Sequence, residues 1–203
     1  MPVRSPGFEL SVLRYLPLIV LLFVDAAGAR AAQPLEYEVK AAFLLNFAKF
    51  VEWGADAFSG PGDPVTLCVL GRDPFGEVLD ETVRDEQVSN RPLMVRRLES
   101  DAASAGCHIL FVSAHERARF ASILKNVNTR RTLTVSDRVD FLDAGGHLAF
   151  FLEGSRVRFA ANSDAVARFD YQVSSRVMQV ARIHKPARGA VLSQPHRGAT
   201  HVP

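Results

Sequence analysis

Cys107-His108-Ile109-Leu110-Phe111-Val112-Ser113 is a short apolar run that gives way at once to a helical pattern over residues 114–126. That pairing of a compact strand with a following helix is the repeating unit of the chain. Upstream, residues 65–70 (Val-Thr-Leu-Cys-Val-Leu) form a continuously apolar-leaning strand, and residues 93–98 form another. Downstream, residues 132–135 make a fourth strand, and Gly145-Gly146 introduces a fifth at 147–152. A tight Glu153-Gly154-Ser155 turn links that strand to 156–160 as a hairpin. Asp73-Pro74-Phe75 reads as an N-cap with proline at the first helical position, opening a helix toward Thr82. Short apolar strands alternating with helices predict an α/β fold, a single three-layer domain with a mostly parallel sheet flanked by helices.

Two further helices bracket this unit. Over residues 36–53, Val39, Ala42, Phe43, Phe47, Phe50 and Val51 recur at helical spacing as one apolar stripe, with Asn46 inside it and Lys40 and Lys49 at its edges. A Gly/Pro/Asp-rich loop over 54–64 ends that helix. The last element spans 174–184, capped by Ser174 or Ser175, with Val173, Val177, Val180, Ala181 and His184 on one face and Pro186 as the stop. Residues 185–203 read as a disordered tail.

The 203 residues carry a net charge of +2, with 48% apolar side chains. That balance gives an ordinary core and excludes global disorder. It also argues against a nucleic-acid partner, which needs a concentrated basic surface. Arg4 and Arg14, the apolar run of residues 15–24 and the Ala27-Gly28-Ala29 and Ala29-Arg30-Ala31 sites describe a cleavable secretory signal over residues 1–31. The run is shorter than the roughly 20 residues that span a bilayer. A periplasmic location follows.

Several patterns approach enzyme motifs and stop short. Gly71-Arg72-Asp73-Pro74-Phe75-Gly76 has the glycine spacing of a phosphate loop without its Lys-Ser/Thr, and reads as a strand-to-helix turn. Ser122-Ile123-Leu124-Lys125 has the Ser-x-x-Lys spacing without the companion motifs, and reads as an exposed helix face. His115-Glu116 lacks a second histidine at zinc-ligand spacing. Asp73 and Asp137 follow strands, where open parallel sheets place ligands; two carboxylates there suit magnesium, but helix capping is the plainer reading. No catalytic residue, metal or cofactor is expected.

Cys68 and Cys107 are the only two cysteines. In an oxidising compartment a lone pair is expected to bridge; a redox-active pair and two free thiols are the alternatives. Neighbouring strands would bring them within disulfide reach.

Seven stretches, taken in order, resemble the YfiR-like family of periplasmic proteins. They are Leu45-Asn46-Phe47-Ala48-Lys49-Phe50-Val51-Glu52-Trp53; Leu67-Cys68-Val69-Leu70-Gly71 with Asp73-Pro74-Phe75-Gly76; Asn90-Arg91-Pro92-Leu93; the Cys107 strand; Leu133-Thr134-Val135-Ser136-Asp137; Gly145-Gly146; and Ser175-Arg176-Val177 with Ala181-Arg182-Ile183. The resemblance covers residues 36–184. It implies an α/β domain without catalytic activity that represses a YfiN-type inner-membrane diguanylate cyclase by holding its periplasmic sensory domain, with consequences for cyclic di-GMP and biofilm growth. It also implies sequestration by an outer-membrane YfiB-like lipoprotein, and a structural disulfide between Cys68 and Cys107. Self-association into a homodimer is compatible with it. The family's second cysteine pair has no counterpart here, so a redox switch built on it cannot operate. Gly54 stands where proline is usual, and Leu45 where an aromatic is common.

Two surface features remain as site candidates. The resemblance implies an Arg-x-His ligand pair, for which Arg182-Ile183-His184 is the candidate; it would suit a phosphate or carboxylate, against the plainer reading of a solvated helix end. Such a pair would make the protein a small-ligand-binding accessory of an envelope sensor. Phe151, in Phe150-Phe151-Leu152, is a partner-binding candidate if one sheet face is open, and core if helices cover both faces.

Overall fold

The computed structural model describes residues 28–186, with side chains from residue 35 onward. The expected signal over 1–31 therefore lies almost wholly outside the described residues, as does the expected tail from residue 187. In chain order the elements are α1 (Gly28–Phe50), β1 (Val51–Glu52), β2 (Val65–Leu70), α2 (Glu77–Val83), β3 (Gln87–Val88), β4 (Arg91–Leu98), β5 (Ile109–Val112), α3 (Phe120–Asn126), β6 (Leu133–Ser136), α4 (Asp140–Asp143), β7 (Leu148–Glu153), β8 (Arg156–Asn162), α5 (Ser163–Val166), β9 (Gln172–Val173), α6 (Ser175–Val180) and β10 (Arg182–His184).

Eight strands form one sheet in the order β10-β8-β7-β6-β5-β2-β4-β3. The run β4-β2-β5-β6-β7 is parallel throughout, and the β7–β8 hairpin and β3 bring the antiparallel pairs. Every residue of β2, β5 and β6 is buried, as expected of parallel strands covered on both faces. Side chains alternate cleanly between the layers. Val65, Leu67, Val69, Ile109, Phe111, Leu133, Val135, Leu148 and Phe150 pack with Leu44, Phe47 and Ala48 of α1 and Leu79 and Val83 of α2. Cys68, Leu70, Leu110 and Val112 face Phe120, Ile123 and Leu124 of α3 and Phe141 of α4. The expected three-layer α/β domain is therefore the observed one.

A disulfide joins Cys68 to Cys107, whose Cα atoms lie 5.8 Å apart, and staples β2 to the entry of β5. Two buried histidines extend the ladder where main-chain pairing runs out. His108 Nδ1 accepts the Thr66 N–H at 3.0 Å while its Nε2 meets the Ala57 carbonyl at 3.1 Å. His147 Nδ1 accepts the Thr134 N–H at 3.1 Å. Both rings must be neutral to accept, and burial lowers both pKa values, that of His147 to about 4.

Five local expectations are corrected. The first helix ends at Phe50, because Val51 and Glu52 pair antiparallel with Val173 and Gln172. Its buried face is also rotated: Lys40, Ala41, Leu44, Phe47 and Ala48 are buried, whereas Val39, Ala42 and Asn46 are exposed. Asp73 accepts the Phe75 N–H at 2.8 Å, capping a turn, and α2 starts only after Gly76, whose φ of +56° an L side chain rarely adopts. The stretch 114–126 is a 3₁₀ segment to Arg119 followed by α3. Finally, α6 stops at Val180, and Arg182, Ile183 and His184 pair in parallel with Ala160, Ala161 and Asn162 instead of continuing the helix. The open edge of β8 offers ladder bonds there, and Val177 is the one buried residue of α6.

Candidate partner-binding surface

The β7–β8 hairpin carries both sequence-derived surface candidates. Phe150 is buried, stacks with Phe47 of α1 and meets the tilted ring of Phe43. Phe151, one residue on, takes the opposite face, where it is half-buried against Leu142, Ala149 and Ala160. The Arg182 guanidinium lies 4.2 Å above the Phe151 ring, so strand pairing brings the two candidates together. Arg182 also donates to Glu153 Oε1 at 2.7 Å, and His184 Nε2 meets Asp143 Oδ1 at 2.8 Å. Both members of the Arg-x-His pair thus sit on an edge strand, not at a helix end, and each has a carboxylate partner.

On the α1 side of the same hairpin lies a groove of about 600 Å³. Leu35, Val39 and Phe43 of α1 form one wall; Leu152, Arg156, Val157 and Arg158 form the other. Leu35 is 62% exposed, Val39 37% and Leu152 52%. Three large apolar side chains held this open, side by side on rigid elements, are the kind of patch that a partner covers. The sequence reading includes Leu152 in the candidate run Phe150-Phe151-Leu152 but misses Leu35 and the groove that the two share. The signal present was an apolar Leu152 in the strand position that alternates away from Phe151.

The strand ends, where open parallel sheets place ligands, are filled by the protein itself. A Cβ on Gly71 would stand 2.8 Å from Glu116 Cγ, so the Glu116 side chain lies against the end of β2. Glu116 is tied to Arg119 at 2.8 Å. Asp73 pairs with Arg97 at 2.8 Å, and Asp137 accepts the Tyr37 hydroxyl at 2.9 Å. The two carboxylates thus have separate protein partners, and Asp137 is not a helix cap. Buried Lys40 lies 2.5 Å from Glu36 and 3.9 Å from Asp137, holding α1 to the end of β6. Burial, with the Asp137 charge beside it, raises the Tyr37 pKa, so Tyr37 stays a hydrogen-bond donor. Among the described residues, no group of three His, Cys, Asp or Glu side chains comes together at metal-binding distance. Ser122 and Lys125 are both exposed, and Ser122 Oγ bonds back to the Arg119 carbonyl at 2.9 Å.

A three-layer α/β domain with an exposed apolar groove and a disulfide across its central strands defines a class of protein. Its fold resembles the crystal structure of a conserved domain protein from Vibrio cholerae O1 biovar El Tor strain N16961, with a TM-score of 0.52 at 9% identity. The match covers 73% of this chain and 60% of that one, so this chain spans less than two thirds of the Vibrio protein. The YfiR/HmsC-like family model matches residues 37–182, and the chain belongs to that family. At the level of the family, this supports a periplasmic regulator of cyclic di-GMP signalling. No helix among the described residues is long and apolar enough to cross a membrane.

Proposed function

We propose that this protein is exported by its N-terminal signal and binds the periplasmic sensory domain of an inner-membrane diguanylate cyclase, holding the enzyme in a state that makes little cyclic di-GMP. The observation that carries this reading is the exposed groove between α1 and the β7–β8 hairpin. A regulator that works by holding another protein needs a rigid platform and a few exposed apolar anchors. Leu152 and Val157 supply anchors from a two-stranded ladder in register from Leu148 to Glu153, and Leu35 and Val39 face them from a helix fixed by the core. Phe151, with Arg182 over its ring, extends the same edge on the other sheet face. An outer-membrane YfiB-like lipoprotein would compete for this surface and release the cyclase, favouring biofilm growth.

The test is equilibrium binding of the exported protein to the periplasmic domain of the membrane cyclase. Micromolar or tighter binding, weakened at least tenfold by Leu152→Asp with the fold intact, is the expected result. Absence of binding, or equal binding by the variant, counts against it.

A further inference from the structure

A second cavity, of about 380 Å³, opens at the opposite end of the sheet from the groove, where β5 and β6 begin. That is the size of a small-molecule site. Its floor is Cys107, His108 and Thr132, held by the disulfide, by the ladder bond of His108 and by a 2.9 Å bond from Thr132 Oγ1 to the Cys107 carbonyl. Small residues in the walls, Ala57 and Gly106 among them, leave the space open. Two donors stand together at one side. Tyr171 is 7% exposed, and its buried hydroxyl has no hydrogen-bond partner among the described residues. Edge-on packing against Trp53 and Phe169, with ring centroids 5.5 Å apart in each pair, fixes the ring. Burial raises the Tyr171 pKa, so this hydroxyl is a donor at neutral pH. Arg131 lies beside it, its guanidinium 5.9 Å from the ring centroid, and pairs with Asp56 at 3.0 Å. Those two side chains are 42% and 68% exposed, so water competes for the pair and a ligand can replace Asp56 at little cost.

An acceptor-only group with two oxygens answers both donors at once, and a carboxylate is such a group. We infer that the cavity binds a small hydroxylated monocarboxylate of the sugar-acid type: one carboxylate oxygen accepts the Tyr171 O–H, the other faces Arg131, and the hydroxyls meet Ser104 and the Asn128 amide. Ser104 is buried in the wall, and Asn128 accepts the Arg130 N–H through Oδ1, which leaves its Nδ2 to donate. An uncharged sugar would leave Arg131 without a charged partner in the cavity. A doubly charged phosphate would meet the Asp56 carboxylate beside a single guanidinium. The site is separate from the docking groove, and neither reading rests on the other.

Calorimetric titration of the purified, disulfide-intact protein with sodium gluconate and sodium galacturonate tests this, with glucose and inorganic phosphate as controls. At least one of the acids is expected to bind with a micromolar to low-millimolar Kd. It should also change the fluorescence of Trp53, the only tryptophan, which packs on Tyr171. Tyr171→Phe should weaken binding at least fivefold without lowering Tm, since the hydroxyl it removes has no partner in the fold. Arg131→Gln should weaken it tenfold or more. Asp56→Asn, which frees Arg131, should tighten it at least threefold, a gain that a folding defect cannot produce. Failure of both acids to bind at about 20 mM would overturn the inference. So would binding that all three variants leave unchanged, or phosphate or glucose binding as tightly as the acids.

Discussion

Acid should loosen this fold through His147, and the size of the effect follows from its surroundings. The ring is 1% exposed, accepts the Thr134 N–H at 3.1 Å and packs edge-on to Phe169, with ring centroids 5.3 Å apart. Burial, assisted by the Arg168 charge, pushes its pKa down to about 4, against about 6.5 in an unfolded chain. The folded value is depressed, so between these pH values the unfolded chain takes up a proton that the native state refuses. Stability is therefore full above about pH 6.5 and falls as pH drops toward 4, by about 3 kcal/mol in all at 1.36 kcal/mol per unit. Roughly 2 kcal/mol of this is lost between pH 7 and 5, above the range where carboxylates dominate. Urea unfolding of the disulfide-intact protein at pH 7.0 and 5.0 measures it. His147→Gln keeps an acceptor for the Thr134 N–H without a titrating group, so its stability should fall about 2 kcal/mol less than wild type over that interval. His108, shifted in the same direction, titrates in both proteins and cancels in the comparison. An equal loss in both proteins would refute the reasoning.

Three other perturbations probe the scaffold. The denatured, unreduced protein should show no reactive thiol, and reduction should cost about 4 kcal/mol for the 39-residue separation in the chain-entropy view, read as a lower urea midpoint; two reactive thiols would contradict the bridge. Gly146→Ala places a Cβ 2.2 Å from two carbons of the fully buried Phe141 ring, so overpacking of about 1–3 kcal/mol should lower Tm by several degrees; an unchanged Tm would argue against that contact. Lys40→Met removes the cation shared by Glu36 and Asp137, whose side chains are 22% and 7% exposed, and should cost about 3 kcal/mol at pH 7, read as a lower urea midpoint, with partial rescue by Asp137→Asn.

What the sequence disclosed depended on how local the deciding force was. The buried parallel strands are legible because β2 and β5 run apolar on both faces and β6 on one, and the hairpin because Glu153-Gly154-Ser155 is a turn between apolar runs. Sequence alone puts Lys40 at an edge of the stripe, because a lysine reads as a snorkelling side chain. Only tertiary placement of Glu36 and Asp137 makes its burial tolerable. The strands at Val51–Glu52 and Arg182–His184 look like helix ends in sequence, since each exists by virtue of a partner distant in sequence, β9 and β8. The groove is not legible for the same reason: Leu152 belongs to a recognisable apolar run, but only the fold sets it across from Leu35.

The most direct measurement is the cellular concentration of cyclic di-GMP in a strain that carries the membrane diguanylate cyclase, with and without this gene. Deletion is expected to raise it severalfold, and export of the wild-type protein, but not the Leu152→Asp variant, is expected to return it to the starting level. A concentration unchanged by deletion would contradict a protein that restrains the cyclase.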